Sequence, residues 1–208
     1  MEKKPEDYHK FGDPKGEEGR ETLESMNENH RELSQWAMSL LPSMDPGKIL
    51  DVGCGGGMQL FMLGSEFPDA HLYGVDISED AVDFALNVNR DKAEAGKCTI
   101  EVAPAEELPF DDGMFDLVSA FETYFFWTDL KEGISEAYRV LAPGGIFTII
   151  SEQYPHPDFD ERNAEVIKRT GLTLVDNEDL AFLLEDEGFE VEYVTVPENN
   201  WVCFIAEK

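Results

Sequence analysis

The sequence predicts an α/β fold, doubly wound around a mostly parallel seven-stranded sheet. Five strand-like segments alternate with helical segments through the middle of the chain, and parallel neighbours need such crossover connections. The last two strand-like segments are separated only by residues 197–200, so we expect them to form a C-terminal antiparallel hairpin. A helical stretch before the first strand is expected to form an N-terminal helical cap.

The chain has 208 residues and is expected to form one compact unit. Within it, residues 1–44 are predicted to be an arm and helical cap, and residues 45–208 the domain that contains the sheet. Residues 1–16 are polar and carry two prolines, which favours an extended arm. Between residues 17 and 41 apolar side chains recur every three or four positions, which predicts one helix that ends before Pro42 and Pro46.

The remaining elements follow from apolar runs and the residues that interrupt them. Strands are predicted at 48–53, 71–77, 98–103, 115–121, 145–151, 189–196 and 201–207, and helices at 58–67, 78–95, 130–141 and 177–187. Ser78 is the predicted N-cap of its helix, because its hydroxyl can accept a hydrogen bond from a backbone N–H of the first turn. Glu79 and Asp80 follow it, where the helix dipole favours acidic residues.

The charge balance excludes several kinds of partner. There are 16 Lys and Arg residues against 45 Asp and Glu, which gives a formal net charge of −29. Nucleic-acid binding depends on cations that neutralise phosphates, so we expect no nucleic-acid partner, and for the same reason no anionic membrane surface. The acidic excess indicates either an ordinary solvated surface or adaptation to a salty cytoplasm.

Cysteine usage and the N-terminus favour a cytoplasmic protein. The three cysteines are widely spaced, form no zinc-binding pattern and are expected to be reduced thiols. No metal site is predicted. Residues 1–10 are charged and lack the apolar segment of a secretory signal, and no apolar run is long enough to span a bilayer.

The segment Ile49–Gly57 is the most informative motif. An apolar strand leads into Asp51 and then into a loop that contains Gly53, Cys54 and Gly55. Glycines let a backbone approach a ligand closely. A dinucleotide site is disfavoured, because Met58 replaces the third glycine of that fingerprint and Asp51 would repel a pyrophosphate. A carboxylate beside such a loop suits an ammonium group, which S-adenosylmethionine (SAM) carries together with a sulfonium.

Two further residues bear on this motif. Asp76 ends the second predicted strand, 23 positions after Gly53, where nucleoside-binding folds of this type hold ribose hydroxyls. Asp51 either contacts the ligand or braces the loop by accepting backbone N–H groups. Cys54 could be a nucleophile, but a small side chain required by a tight turn is the better interpretation, because no histidine neighbours it in sequence.

Two later segments are expected at the same edge of the sheet. Ala105 and Glu106 follow the third strand and could face an adenine edge, although an ordinary loop explains them as well. Residues 121–127 hold five aromatic side chains, which are expected in part to wall a substrate cavity, since aromatic faces attract cations. Within that segment, Glu122 is interpreted equally as a structural acid or as a group that accepts a proton or holds a substrate amine.

Taken together, these motifs resemble those of class I SAM-dependent methyltransferases, the group with the methyltransferase type 11 domain, over residues 45–150. The resemblance implies a Rossmann-like fold with SAM as cofactor and S-adenosylhomocysteine as product. It also implies methionine-end contacts from Asp51, Gly53 and Gly55 and a ribose contact from Asp76. Adenine contacts are implied for Ile77, Ala105 and Glu106, and a further contact with SAM near Phe121. One departure is Pro104, because relatives often have an aspartate there that accepts from the adenine amino group.

The function predicted from this resemblance is in-line transfer of a methyl group to a small-molecule acceptor. A general base is required only where the acceptor must lose a proton, and the candidates are His30, Glu122 and Tyr124. His30 falls on the apolar stripe of the cap helix, so a packed histidine is the competing interpretation. Two other functions stay open on the same fold, namely an aminopropyl transferase and a SAM-binding domain without catalysis.

Overall fold

The computed structural model describes residue 5 and residues 8–208 and contains a seven-stranded sheet in the order β3-β2-β1-β4-β5-β7-β6. The strands are β1 (Lys48–Val52), β2 (His71–Asp76), β3 (Cys98–Val102), β4 (Phe115–Phe121), β5 (Leu141–Ser151), β6 (Glu190–Val196) and β7 (Trp201–Glu207). β1 to β5 pair in parallel, whereas β7 runs antiparallel to both β5 and β6. The predicted fold class, including the C-terminal antiparallel hairpin, is confirmed.

Nine α-helices occur in the described part of the chain. They are α1 (Tyr8–Phe11), α2 (Gly16–Asn29), α3 (Arg31–Leu40), α4 (Met58–Glu66), α5 (Glu79–Val88), α6 (Arg90–Glu94), α7 (Leu130–Val140), α8 (Asp160–Thr170) and α9 (Asn177–Glu187). Two short 3₁₀ helices span Tyr124–Phe126 and Pro157–Phe159. Within the described residues, none of the helices combines the length and apolar character needed to cross a membrane.

The sheet separates two hydrophobic layers, because side chains alternate between its faces along each strand. Ile49 and Leu117 pack with α4 and α5 on one face, in a cluster that includes Leu60, Leu63, Val82 and Ala85. Leu50 and Val118 pack on the other face with α7 and α9. The carboxyl ends of β1 and β4 lie between the two layers at the point where strand order reverses, which is where ligands bind in such sheets.

The N-terminal region differs from the prediction. Residues 8–11 form the helix α1 rather than an extended arm, and residues 1–4, 6 and 7 lie outside the described part. The single helix predicted for 17–41 is two helices, which meet at His30. The break lets each helix bury its own face, since α2 packs against α5 while Leu33 and Ala37 of α3 pack against Ile150 and Cys203.

Two more helices were predicted wrongly or missed. The helix predicted for 78–95 is interrupted at Asn89, whose side-chain amide donates to the carbonyl of Gly57 at 3.0 Å. The backbone departs from helical geometry at this residue, with φ −100° and ψ 21°. No element was predicted between residues 151 and 177, where α8 occurs, because α8 buries only Asn163 and Thr170 and so lacks an apolar stripe.

Candidate active site

The glycine loop after β1 takes a shape that only glycine fits at its first position. Gly53 has a φ of 71°, and the amides of Gly53 and Cys54 both donate to the carbonyl of Val75, at 2.8 and 2.9 Å. A β-carbon at Gly53 would lie 2.1 Å from the hydroxyl oxygen of Thr123. The loop is thereby tied to β2 and held close to the segment after β4.

Asp51 is buried at the end of β1, and one of its carboxylate oxygens has no hydrogen-bond partner among the described residues. The hydroxyl of Ser119 donates to its Oδ1, while its Oδ2 is buried and has no hydrogen-bond partner among them. Burial raises the pKa of Asp51 to about 7, and the charge of Asp76 adds to the increase. A buried acceptor in this state is stabilised by a cationic donor, such as an ammonium group.

Asp76 links the glycine loop to the helix that follows β2. Its Oδ2 accepts from the amide of Gly55 and its Oδ1 from the amide of Ser78, both at 2.9 Å. Burial raises the pKa of Asp76, and the two backbone hydrogen bonds oppose that rise. Ser78 is the N-cap of α5, as predicted, and its hydroxyl accepts from the amide of Ala81.

The thiol of Cys54 is packed into the core. It lies 3.1 Å from the position that a β-carbon on Gly74 would occupy, and the residue is 6% exposed. Burial raises the pKa of the Cys54 thiol well above its usual range, and nearby Asp76 adds to the effect. A thiol in this environment stays protonated, so this placement agrees with a small residue in a tight turn rather than a nucleophile.

These groups line a cavity of about 180 Å³ at the carboxyl edge of the sheet, which we call the first cavity. It brings together eleven of the twelve predicted site residues: His30, Asp51, Gly53, Cys54, Gly55, Asp76, Ile77, Ala105, Glu106, Phe121 and Glu122. Ile77 is 48% exposed and so offers an uncovered apolar surface there. Their convergence from five separate segments makes this cavity the candidate site for a cofactor.

Glu106 has a structural role that the sequence did not indicate. Its Oε1 accepts from the amide of Thr128 at 2.6 Å, from the hydroxyl of Thr128 at 2.8 Å and from the amide of Asp129 at 3.0 Å. These bonds overcome the effect of burial and lower the pKa of Glu106. The carboxylate therefore braces the segment before α7, and only its second oxygen remains for a ligand.

The N-terminal segment of residues 11–15, here called the N-terminal strap, covers one side of the first cavity. Phe11, Gly12 and Pro14 line the cavity. The strap is fastened to α5, because the hydroxyl of Ser78 donates to the carbonyl of Pro14 at 2.5 Å. Next to the strap, the side chain of Asn27 in α2 donates to the carbonyl of Gly56 at 2.9 Å.

His30, Glu122 and Glu152 form a compact cluster beside the first cavity. The imidazole Nε2 of His30 lies 3.7 Å from the Oε1 of Glu152, and the backbone N–H of Glu152 donates to the carboxylate of Glu122. One ligating atom from each residue lies within 4.8 Å of the others, so the three could also hold a divalent metal ion. Glu122 reaches this cluster with a φ of 55°, an uncommon conformation for a residue with a β-carbon.

The charges in this cluster are mutually dependent. Burial raises the pKa of Glu122 to about 7, although the positive charge of His30 opposes the rise. Burial would lower the pKa of His30, but its contact with Glu152 and the charge of Glu122 outweigh burial and raise it. The contact with His30 lowers the pKa of Glu152. The cluster can therefore hold one exchangeable proton near neutral pH.

Tyr124 is placed elsewhere and is not among the residues that line the first cavity. It is 2% exposed and packs in the hydrophobic layer with Phe125, and it has a backbone hydrogen bond with Val175. Burial raises the pKa of its hydroxyl, and the charge of Glu122 adds to the rise. The structure therefore does not bring Tyr124 together with the other predicted site residues.

A second cavity, of about 550 Å³, adjoins the first. Both cavities are lined by the same five residues, which form a shared wall: Phe11, Met26, His30, Glu122 and Phe126. The second cavity extends from this wall towards α8 and is also lined by Glu152, Gln153 and Arg169. The two cavities therefore adjoin along these five residues.

Comparison with known proteins identifies the family. A profile described as a methyltransferase domain, of type 11, matches residues 50–149. An O-methyltransferase from Aspergillus nomiae is 30% identical over 155 residues, which cover 73% of this chain and 68% of that protein. The chain belongs to the class I SAM-dependent methyltransferases. This family membership confirms the resemblance of the sequence motifs.

Other relatives place this methyltransferase within a varied group. An O-methyltransferase from Penicillium expansum is 34% identical over 71% of this chain, and a ubiquinone/menaquinone biosynthesis C-methyltransferase from Geobacter is 30% identical over 60% of it. The chain spans about half the length of these two relatives, 53% and 54%. Their names specify different acceptor atoms, so family membership leaves the acceptor open.

A solved structure with the same fold covers the whole chain. It is a chain of the complex between the Haloferax volcanii Trm112 methyltransferase activator and a methyltransferase, with a TM-score of 0.78, 19% identity and 99% coverage of both chains. At this level of identity, the likeness concerns the fold alone.

The residues of the first cavity fit the cofactor of this family. The unpartnered Oδ2 of Asp51 and the Oε1 of Gln59, which is also buried without a partner among the described residues, offer acceptors for an ammonium group. The cavity has room beside Gly53 only because that residue lacks a side chain. These are requirements of the methionine end of SAM, whose amino group is cationic.

Sequence reasoning missed several residues of the site, including Asn27, Gln59 and Glu152. Glu152 and Gln153 directly follow β5 at the carboxyl edge of the sheet, and that position was a usable signal. Asn27 and Gln59 lie on helices, where nothing in the sequence distinguishes them from other polar residues. Only the folded chain shows that they reach the glycine loop or the first cavity.

Proposed function

We propose that this chain transfers a methyl group from SAM to a small-molecule acceptor and releases S-adenosylhomocysteine. The observation that supports the proposal is the shared wall between the two cavities. On one side, the first cavity carries the groups that suit SAM. On the other side, the second cavity has room for an acceptor, with His30 and Glu122 at the junction.

In this proposal, Asp51 and Gln59 hold the methionine ammonium, and Asp76 lies beside the ribose. SAM supplies an activated methyl group on a positively charged sulfur. The protein aligns the acceptor atom with that methyl group, and alignment of reactants can contribute about 7–11 kcal/mol to catalysis. Where the acceptor must lose a proton, Glu122 or His30 receives it, and Glu152 orients the imidazole of His30.

Two other functions on the same fold predict different results. An aminopropyl transferase would use decarboxylated SAM and would form a product heavier by an aminopropyl group rather than a methyl group. A SAM-binding domain without catalysis would bind SAM and form no product. The second cavity beside His30 and Glu122 supports transfer to an acceptor, and the mass of the product separates methyl transfer from aminopropyl transfer.

The experiment combines calorimetric titration of the purified, ligand-free protein with mass analysis of its products. We expect SAM and S-adenosylhomocysteine to bind and NADH not to bind. Incubation with SAM and a pool of small metabolites should produce S-adenosylhomocysteine together with a product heavier by one methylene group. Binding of NADH in place of SAM, or failure to bind SAM at millimolar concentration, would refute the proposal.

The His30→Gln variant tests the role of the shared wall. We expect turnover to fall about 10²- to 10⁴-fold, which is the usual contribution of a general base, while the affinity for SAM stays nearly unchanged. The matched control is His71→Gln, since His71 is exposed at the start of β2. Equal turnover of the His30→Gln variant and the His71→Gln control would remove His30 from the catalytic residues.

A further inference from the structure

The inner wall of the second cavity consists mainly of hydrogen-bond acceptors. The carboxylates of Glu122 and Glu152 lie there beside the imidazole of His30. Gln153 follows on the same wall and is 8% exposed, and its Oε1 is buried with no hydrogen-bond partner in the described part of the chain. A buried acceptor without a donor costs free energy, so a ligand that brings several donors would stabilise this wall.

The charge of the second cavity favours a cation. Four glutamates line it, namely Glu18, Glu21, Glu122 and Glu152, against the two cations Lys10 and Arg169. Lys10 and Glu18 form an ion pair and together add little net charge, which leaves Glu21, Glu122 and Glu152 against Arg169 and the imidazole of His30. A carboxylate or phosphate in this cavity would face a net negative field, whereas an ammonium group would be attracted.

The remaining lining of the second cavity is apolar. It comprises the side chains of Phe11, Met26, Phe125, Phe126, Val166 and Leu172. The ring of Phe126 lies in the shared wall, where an aromatic face can also contact a cation. An acceptor that fits this surface has a cationic head at the shared wall and an apolar carbon body towards α8.

A single metal ion satisfies these groups less well. The carboxylate of Glu122 already accepts the backbone N–H of Glu152. The apolar side chains that line the rest of the second cavity have no role around a metal ion.

We infer that the second cavity takes a primary or secondary amine with an apolar carbon body, and that this amine is the methyl acceptor. The inference rests on the proposed function and specifies its substrate class. It follows from the acceptor-rich wall, the acidic charge and the apolar lining of one cavity. The first cavity supplies the other reactant across the wall that both cavities share.

The reaction with an amine is balanced by groups in the shared wall. The amine enters as an ammonium ion and gives one proton to the carboxylate of Glu122, which leaves a lone pair on nitrogen. That lone pair forms the N–C bond to the methyl carbon while the S–C bond breaks and its electron pair stays on sulfur. The products are an N-methylated ammonium ion, neutral S-adenosylhomocysteine and protonated Glu122. The raised pKa of Glu122, about 7, suits this transient protonation.

The test compares three probes that share a 2-phenylethyl group and differ in the polar group attached to it: 2-phenylethylamine, 2-phenylethanol and 3-phenylpropionate. Each is titrated at pH 7.5 into the protein saturated with S-adenosylhomocysteine. We expect the amine to bind at least about tenfold more tightly than the alcohol, and the carboxylate to bind most weakly, because a charged hydrogen bond in a buried site contributes that much. The bound amine should then become N-methylated in the presence of SAM.

Two variants and one control assign the effect to the second cavity. Glu152→Gln and Gln153→Leu should each weaken binding of the amine about fivefold or more and leave the affinity for S-adenosylhomocysteine unchanged, since neither residue lines the first cavity. Glu161→Gln, an exposed position in α8 outside both cavities, should change nothing. Thermal melts confirm that each variant folds.

The outcomes separate this inference from the proposed function. Equal or tighter binding of the alcohol or the carboxylate would overturn the amine assignment. It would also be overturned if none of the three probes binds at about 10 mM, which is an order-of-magnitude limit on useful affinity. Tight binding of Mn²⁺ that requires Glu152 would make the cluster a metal site instead. In each of these cases SAM binding and transfer to another acceptor could still succeed. An amine that binds beside SAM and is not methylated would overturn its assignment as the methyl acceptor, whereas failure of the protein to bind SAM would contradict the proposed function.

Discussion

At the scale of single residues, the site depends on backbone shape as much as on side chains. Gly53 combines a positive φ with close contact to Thr123, and these two constraints have separable consequences. Any other residue adopts such a φ at a cost of about 1–2 kcal/mol. Only the contact with Thr123 concerns the cavity, because both residues line it.

We predict that Gly53→Ala lowers the affinity for SAM at least about tenfold, because the new methyl group collides with Thr123 and displaces the loop. The matched control is Gly96→Ala, where φ is 70° and nothing lies within 4 Å. Both variants should lose stability in thermal melts because of the positive φ, Gly53→Ala more so because of the collision, and only Gly53→Ala should lose SAM affinity by calorimetry. Unchanged binding in Gly53→Ala would show that the loop does not contact the cofactor.

We predict that the charged carboxylate of Asp51 lowers the stability of the ligand-free protein and strengthens the binding of SAM. Its pKa is raised from 3.8 to about 7 by burial, so its charged form opposes folding. The stabilising contribution of the neutral carboxyl is complete below pH 3.8 and is lost as the pH rises through about 7. Asp51→Asn replaces the carboxyl group with an amide that does not ionise, so the variant does not lose this stability as the pH rises. The melting temperature of the ligand-free variant should therefore exceed that of the wild type above pH 7, by about 2–4 °C per kcal/mol.

The same substitution should weaken SAM binding about 10- to 100-fold, because a neutral amide replaces the charged acceptor of the ammonium group. Melting curves from pH 4 to pH 8 and calorimetry at pH 7.5 measure both effects. Asp83→Asn, at an exposed position in α5, is the control and should show neither effect. If the Asp51→Asn variant is no more stable than the wild type above pH 7, the raised pKa does not belong to Asp51.

At the scale of elements, the N-terminal strap and α2 act together as the cover of the first cavity. Gly19 in α2 lies against the strap, and a β-carbon there would be 2.8 Å from the backbone of Pro14. Pro14 in turn accepts the hydroxyl of Ser78. The packing of one helix position thus determines whether the strap can stay fastened over the cavity.

We predict that Gly19→Ala weakens SAM binding several-fold and speeds dissociation, because the methyl group pushes the strap away from Ser78. Alanine stabilises a helix interior by about 0.5–1 kcal/mol relative to glycine. Weaker SAM binding would therefore not be due to unfolding of α2. Stopped-flow dissociation and helical content by circular dichroism measure the two effects. Glu24→Ala, on the exposed face of α2, is the control, and identical dissociation rates in the two variants would argue against a covering strap.

Element prediction succeeded where a local signal was sufficient. The bounds of β4, β7 and α9 agree with the prediction, because apolar runs and flanking turn residues define them. It failed where a distant contact decided the result. The breaks at His30 and Asn89 arise from packing on the sheet and from a hydrogen bond to Gly57, and no periodicity in the sequence reports either contact.

At the scale of the whole molecule, the net charge of −29 is the dominant property. The described part of the chain includes only a few ion pairs, and most of them involve exposed side chains. Such pairs contribute about 0–1 kcal/mol each. The acidic excess is therefore largely uncompensated, and its self-repulsion opposes the compact state.

We predict that the melting temperature at pH 7.5 rises by several degrees between low salt and about 1 M NaCl, as the screening length falls from tens of ångströms to about 3 Å. Repetition near pH 4.2, the isoelectric point, is the control, because little net charge is left there to screen. A melting temperature that does not respond to salt at pH 7.5 would exclude adaptation to a salty environment.

The sequence by itself determined the sheet, its C-terminal hairpin and the cofactor loop, because periodicity, turn residues and the spacing of Asp51, Gly53 and Asp76 are local properties of the chain. Only the tertiary structure decided the composition of the acceptor side. His30, Glu122 and Glu152 come from three separate segments, and Glu106 is occupied by the turn before α7. These contacts form between residues that are far apart in the sequence and meet only when distant elements pack together. Local sequence patterns therefore do not predict them.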